Sequence, residues 1–259
     1  MELREQRFGI EIEMTGITRA GAAKVAATYF GTRSEYVGTY YQTYAAVDQE
    51  GRQWKFMSDG SIRAEKKVNG EKRAAGAVYR TEMVSPICRY EDIEKIQELI
   101  RELKKKGAIV NESCGIHVHI DASPFDAGKL RNLTNIMAAK EDLIYKALGV
   151  SVERQHRWCR PVEERFLEEL NRRRPTSMEA VEEIWYNGRS RRGQHYDQSR
   201  YHCLNLHSVS RKGRLNSGCS TGDAAMQEDS RRISNFVLQL RRRQFKSDLC
   251  EQNQDGDNE

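Results

Sequence analysis

FGIEIEM (residues 8–14) and CGIHVHID (residues 114–121) decide how this chain folds. In both stretches residue character alternates with period two, which marks a strand with two unlike faces. Ile10, Ile12 and Met14 share one face of the first, and Glu11 and Glu13 share the other. In the second, Ile116, Val118 and Ile120 are apolar where His117 and His119 are ionisable. Strands of this kind need an apolar layer on one side only. That predicts an antiparallel sheet with helices on one face and functional residues on the other.

The flanking sequence supplies those helices and further strands. Thr18 opens a helix to Phe30, with Ala22, Val25, Ala26 and Tyr29 on one face and Gly31 as its stop. EYVGTYYQTYAAVD (35–48) and RQWKFM (52–57) read as a hairpin about a turn at Gln49–Gly51. DGS (59–61) is a turn, AEKKVNGEKRAAG (64–76) a charged surface excursion, and VYRTEMV (78–84) a strand halted by Ser85-Pro86. EDIEKIQELIRELKKKG (91–107) is an amphipathic helix with Ile93, Ile96, Leu99, Ile100 and Leu103 on one face. Residues 108–110 add a short strand. Ser123–Asp126 caps a long helix to Leu148, and Gly149 stops it. Pro161–Arg174 and Ser177–Trp185 predict two more helices, with a linker over residues 171–175 between them. Asn187–Gln198 is a basic loop and RYHCLNLHSV (200–209) a final strand. Strands and helices without strict βαβ alternation make the class α+β.

Composition narrows the function classes. The chain has 259 residues, 43 basic and 38 acidic, for a net charge of +5. Hydrophobic residues are 38%, low beside the roughly 45–50% of an average chain. No apolar run of about 18 residues is present, so no membrane helix is expected. MELREQRFGIEIEM at the start lacks an apolar signal core, which points to the cytoplasm. The charge balance does not point to nucleic acid. Six cysteines without CxxC spacing read as reduced thiols. Oligomeric state has no signature.

The ionisable residues carry the chemistry. Glu11 and Glu13 lie on one strand face, where like charges repel unless a cation intervenes; an exposed edge strand is the plain alternative. His117 and His119 repeat that geometry, and a structural or exposed pair is their plain alternative. Glu82 sits mid-strand and needs a partner if buried, for which Arg80 on the same face is available. Asp59 is a turn residue that could hold an amine, and Arg200 a surface arginine or a clamp on phosphate oxygens. Oxygen-rich sites with one or two imidazoles suit Mg²⁺ or Mn²⁺ better than zinc. No Walker A or GxGxxG motif is present.

GIEIEM, DGS, TEMVSP, CGIHVHID and RYHCLNLHS, in that order across residues 7–213, resemble the amidoligase family, which is similar to the glutamine synthetase and glutamate–cysteine ligase group of carboxylate–amine ligases. The resemblance implies a curved antiparallel sheet that holds ATP and two or more divalent ions (Mg²⁺ or Mn²⁺). It implies that ATP phosphorylates a substrate carboxylate and an amine attacks the acyl phosphate. Glu11, Glu13, Glu82 and His117 would match metal ligands. Glu13, His119 and Arg200 would lie toward the nucleotide, and Asp59 near the amine. The substrates are a carboxylic acid and an amine, peptides and protein side chains among the candidates. Two other readings stay open: a non-catalytic binding protein or relic of that fold, and a metal-dependent hydrolase or nuclease, for which basic runs at 172–174 and 189–192 speak.

The chain departs from the family after Gly213. A strand of the kind T-V-E-F-R-x-F-N, with another metal-binding Glu, should follow RYHCLNL. Residues 214–222 read RLNSGCSTG, and no carboxylate lies between Asp197 and Asp223. Yet CGG TTG AAT TCC GGC TGT TCA ACG GG is one permitted spelling of that stretch, and with one A in front it reads T-V-E-F-R-L-F-N-G. We therefore read residues 1–213 as an amidoligase-like catalytic domain whose last strand and helix are replaced, and 214–259 as an atypical, disordered or non-native tail. Ser230–Lys246 could still form a helix within it. A divergent genuine tail is the alternative. The encoding DNA should carry T-V-E-F-R-L-F-N-G and an open continuation in the shifted frame. An early stop there would remove the hypothesis.

Overall fold

The computed structural model describes residues 3–121, 123–157, 160–186, 205–207 and 235–240. They divide into two compact units.

The first unit spans residues 3–121. Its elements are β1 (Phe8–Met14), α1 (Arg19–Phe30), β2 (Ser34–Tyr36), β3 (Tyr44–Val47), β4 (Gln53–Met57), β5 (Glu65–Val68), β6 (Glu71–Ala74), β7 (Thr81–Val84), α2 (Asp92–Lys105) and β8 (Ile116–Asp121). Six strands form a sheet ordered β2-β3-β4-β7-β1-β8, each pair antiparallel. β1 is therefore a central strand. One face carries Ile12, Met14, Ala46, Trp54, Phe56 and Met83, all buried. α1 covers that face over β2, β3, β4 and β7, with α2 beside it. Phe30 meets Trp54 with ring centroids 5.5 Å apart. Burial of these side chains is the main favourable term for this layer.

Local chemistry sets the helix ends. The Thr18 hydroxyl accepts from the Gly21 N–H at 3.1 Å, and Gly31 closes α1 in the left-handed region. The buried helix stripe is Ala22, Ala23, Ala26, Ala27 and Phe30. It is centred one position beyond the expected Ala22–Val25–Ala26–Tyr29 face. At the start of α2, Asp92 accepts two hydrogen bonds from Arg52, at 2.9 and 2.7 Å. Arg52 also pairs with Asp48 at 2.9 Å. Burial raises the Asp92 carboxyl, but the Arg52 hydrogen bonds and charge, the Arg89 N–H and Lys95 together outweigh it and hold the group at about 2. This network ties the β3–β4 turn to α2.

The second unit holds α3 (Ala127–Leu148), α4 (Val152–Arg157), α5 (Glu164–Arg173), α6 (Met178–Tyr186), β9 (Asn205–His207) and β10 (Asn235–Leu240). Asp126 caps α3 by accepting from the Lys129 N–H at 2.7 Å, and Gly149 ends it. β9 and β10 pair antiparallel. Among the described residues no helix is long and apolar enough to cross a membrane.

The mixed α+β class and the antiparallel sheet agree with the sequence reading. Several details differ. The 35–48 run splits at residues 37–43, where Gln42 takes a positive φ of 50° that no strand accommodates. The 64–76 excursion is a hairpin, β5–β6, turned by Asn69-Gly70 with both residues at positive φ. Its strands lack apolar alternation, which hid it. Residues 108–110 contribute only a bridge between Ile109 and Thr15. α4 was not foreseen. Within the expected Ser230–Lys246 helix, residues 235–240 are a strand, of which Asn235, Phe236 and Val237 pair with β9. The expected loop at 187–198, the rest of the 200–209 strand and the rest of the 214–259 tail lie outside the described residues.

Gly16 links β1 to α1 at φ +82°. A Cβ there would press into the Gly107 carbonyl oxygen and lie 2.8 Å from Ile109 Cγ1. Gly16→Ala should therefore destabilise the protein by about 1–3 kcal/mol. Urea titration measures this, and an unchanged midpoint would contradict the close approach.

Candidate functional site

Register assembles the site on the sheet face opposite α1. Glu13 lies across from Glu82 on β7, and Glu11 across from Val84 on β7 and His117 on β8. Gly9 lies across from His119. Opposed residues project to the same side of an antiparallel pair. Glu11, Glu13, Glu82, His117 and His119 therefore converge. Asp59 joins them from the turn after β4, where its Oδ1 accepts from the Ser61 N–H at 2.7 Å.

The groups are held out of water. Glu82 is 1% exposed, Glu11 4%, Glu13 5%, His119 5% and Asp59 6%. An exposed edge strand, the plain alternative for Glu11 and Glu13, is thus set aside. The Nδ1–H of His117 donates to Glu11 Oε2 at 2.9 Å. His119 Nε2 lies 3.2 Å from Glu11 Oε1 without hydrogen-bond alignment, and both atoms are buried with no hydrogen-bond partner. Glu13 accepts from the Gly115 N–H, a backbone donor no side-chain pattern announces.

Electrostatics separates the two glutamates of β1. Burial opposes the Glu11 charge, yet the imidazoles of His117 and His119 hold its carboxyl well below the usual carboxylate range. Burial likewise opposes the His117 imidazolium, but Glu11 outweighs it and lifts the group to about 9. Glu13 is pushed up to about 7, first by burial and then by the adjoining Asp59 carboxyl, with which it shares a hydrogen bond.

Two groups of three stand out. Ligand atoms of Glu11, Glu82 and His117 lie within 4.8 Å of one another, and so do those of Glu13, Asp59 and Glu82. Glu82 belongs to both. The donors are four carboxylates and one imidazole, which fits a hard divalent cation such as Mg²⁺ or Mn²⁺. The buried, unbonded Oε1 of Glu11 is available to such an ion. Asp59, assigned by resemblance to the amine, sits inside the second group, which its place in a DGS turn did not signal. Arg80 does not serve as the expected charge partner of Glu82: no ion pair joins it to a carboxylate among the described residues, and its Nε is buried without a hydrogen-bond partner. Arg200 lies outside the described residues.

A family model described as "Putative amidoligase enzyme" matches residues 4–215. No curated protein and no solved structure matches the chain.

The metal-free protein should lose stability as pH rises. Glu13 has a folded value of about 7 against 4.5 unfolded, so it loses stability from pH 4.5 to 7. His117 has a folded value of about 9 against 6.5, so its contribution is full below 6.5 and lost as pH passes 9. Urea midpoints in chelator should thus fall between pH 5 and 9. Glu13→Gln should flatten the lower part of that window. A midpoint that climbs with pH would refute the assignment.

Proposed function

The chain belongs to the amidoligase family, and on that premise we propose that it is an ATP-dependent carboxylate–amine ligase with a glutamine synthetase-like sheet. The observation that carries the proposal is the pair of three-residue groups that share the buried Glu82 on one sheet face. Glu11, Glu82 and His117 would hold one divalent ion, and Glu13 with Glu82 and Asp59 a second. Such ions supply positive charge that relieves repulsion between phosphate and carboxylate.

In the proposed reaction, a carboxylate oxygen of the acid bonds to the γ-phosphorus of ATP and ADP leaves. The amine nitrogen then bonds to the acyl carbon, phosphate leaves, and the nitrogen gives up a proton. The chain's own groups suit these tasks. Glu11 orients His117 through the 2.9 Å hydrogen bond. Asp59, which enters the second group from the turn after β4, would lie near the amine. His119, buried beside Glu11, and Arg200 would lie toward the phosphates. The sheet supplies positioning, which is most of what phosphoryl transfer asks of a protein. Residues 198–222 contain no carboxylate, so the further Glu of the family pattern is lacking and turnover should be impaired. We place the protein in the cytoplasm.

Titration calorimetry with Mg²⁺–ATP, on this chain and on a frame-restored version, tests the reading. Both should bind, the restored chain more tightly and with ADP release when acid and amine are supplied. Glu13→Gln should weaken Mg²⁺–ATP binding by about tenfold or more. Binding without ADP release in either chain would favour a non-catalytic relic. Metal-dependent cleavage of nucleic acid that ignores ATP would favour a nuclease.

A further inference from the structure

Residues 111–115 lead into β8 as a loop built around one side chain. Asn111 is 2% exposed. Its Oδ1 accepts from the Ser113 N–H at 3.0 Å and from the Ser113 hydroxyl at 2.6 Å. Its backbone carbonyl accepts from the Cys114 N–H at 3.1 Å. The loop ends at the buried Gly115, whose N–H donates to the Glu13 carboxylate. The Gly115 carbonyl accepts from the Glu13 N–H at 3.0 Å. The loop therefore grips Glu13 by both its backbone and its side chain.

The same side chain reaches the segment that carries Asp59. Asn111 Nδ2 donates to the Arg63 carbonyl at 2.8 Å, and the Arg63 N–H donates to Ser113 Oγ at 2.8 Å. Two side chains thus satisfy both backbone groups of Arg63, as a neighbouring strand would. Arg63 follows directly on the turn that holds Asp59. There the Ile62 N–H donates to the Asp59 carbonyl at 3.4 Å, and Ile62 anchors the turn at 1% exposure. An ion pair of Arg63 with Glu112 at 2.6 Å spans the same two segments. Both its side chains are more than half exposed, and such pairs contribute little. The buried join is the amide of Asn111.

Glu13 and Asp59 belong to the group completed by Glu82, and they reach it from separate parts of the chain. Something must fix the spacing between them. A side-chain amide offers an acceptor and a donor in one plane, and Asn111 spends the acceptor on the Glu13 side and the donor on the Asp59 side. We propose that Asn111 is a positioning residue for this group. Acting through Gly115 and Arg63, it sets the spacing of the Glu13 and Asp59 carboxylates and thereby the affinity of the group for a divalent ion. Outer partners that orient ligands are worth about 10–100-fold in metal affinity. The inference rests on the metal reading of the proposed function and not on the ligase chemistry.

Two measurements on the full chain test this. The first is amide hydrogen exchange in chelator, with the Phe56 and Met83 amides of the same sheet as internal references. Asn111→Ala should speed exchange at Gly115 by about tenfold relative to those references. Asn111→Asp keeps the acceptor and loses the donor to Arg63, so it should fall between Asn111→Ala and the wild type. The second is calorimetric titration with Mn²⁺ and no nucleotide. Asn111→Ala should weaken Mn²⁺ binding by about tenfold. Combined with Asp59→Asn it should cost little more than Asp59→Asn alone, whereas combined with His117→Gln the losses should add. Exchange that quickens equally at Gly115 and at the references would mean a general stabilising role and overturn the inference. Unchanged Mn²⁺ affinity, or a loss that adds in full to Asp59→Asn, would overturn it too. If Asn111→Ala does not fold, Asn111→Asp and Ser113→Ala carry both measurements. A wild type that binds no Mn²⁺ removes the metal reading, and Gly115 exchange then decides by itself whether Asn111 positions Glu13.

Discussion

Four carboxyl groups buried on one sheet face are the constraint around which this protein is arranged. Glu11, Glu13, Glu82 and Asp59 would repel one another in a low-dielectric setting. The chain answers in three ways. His117 gives Glu11 a charged partner, the Gly115 N–H gives Glu13 a donor, and Glu13 and Asp59 share a hydrogen bond. What remains is a surplus of buried negative charge that a hard cation would neutralise. The apolar layer beneath, from Trp54 and Phe56 to α1, provides the burial that offsets this arrangement.

Much of the site was legible because it rests on period two. A strand's alternation fixes which side chains share a face, and Glu11, Glu13, His117 and His119 follow from that rule alone. The pairing of β1 with β7 and β8, which sets Glu13 against Glu82 and Glu11 against His117, is a tertiary fact that no local pattern contains. Asp59 shows the limit. DGS announces a turn and says nothing of where the turn points. Arg80 shows another: proximity along a strand suggested a salt bridge to Glu82, and no such pair forms.

Fold elements followed the same division. α2 was plain from its apolar stripe and its acidic start, and the ends of α1 and α3 from Thr18, Gly31, Asp126 and Gly149. The β5–β6 hairpin was masked by charge, since neither strand has an apolar face to report. β10 went the other way: Ile233, Val237 and Leu240 fit a helical stripe, and strand pairing with β9 overrode it.

Glu82 belongs to both groups of three, and this has a consequence for how occupancy would build up. A carboxylate shared by two sites couples them thermodynamically. An ion in one site draws charge from Glu82 and weakens what it offers the other, while it also fixes the side chain and lowers the ordering cost of the second event. The balance of the two decides whether filling is anticooperative or cooperative. Ions bound at both groups would therefore not have independent affinities, and one side chain in the middle of β7 would set the sign of their linkage.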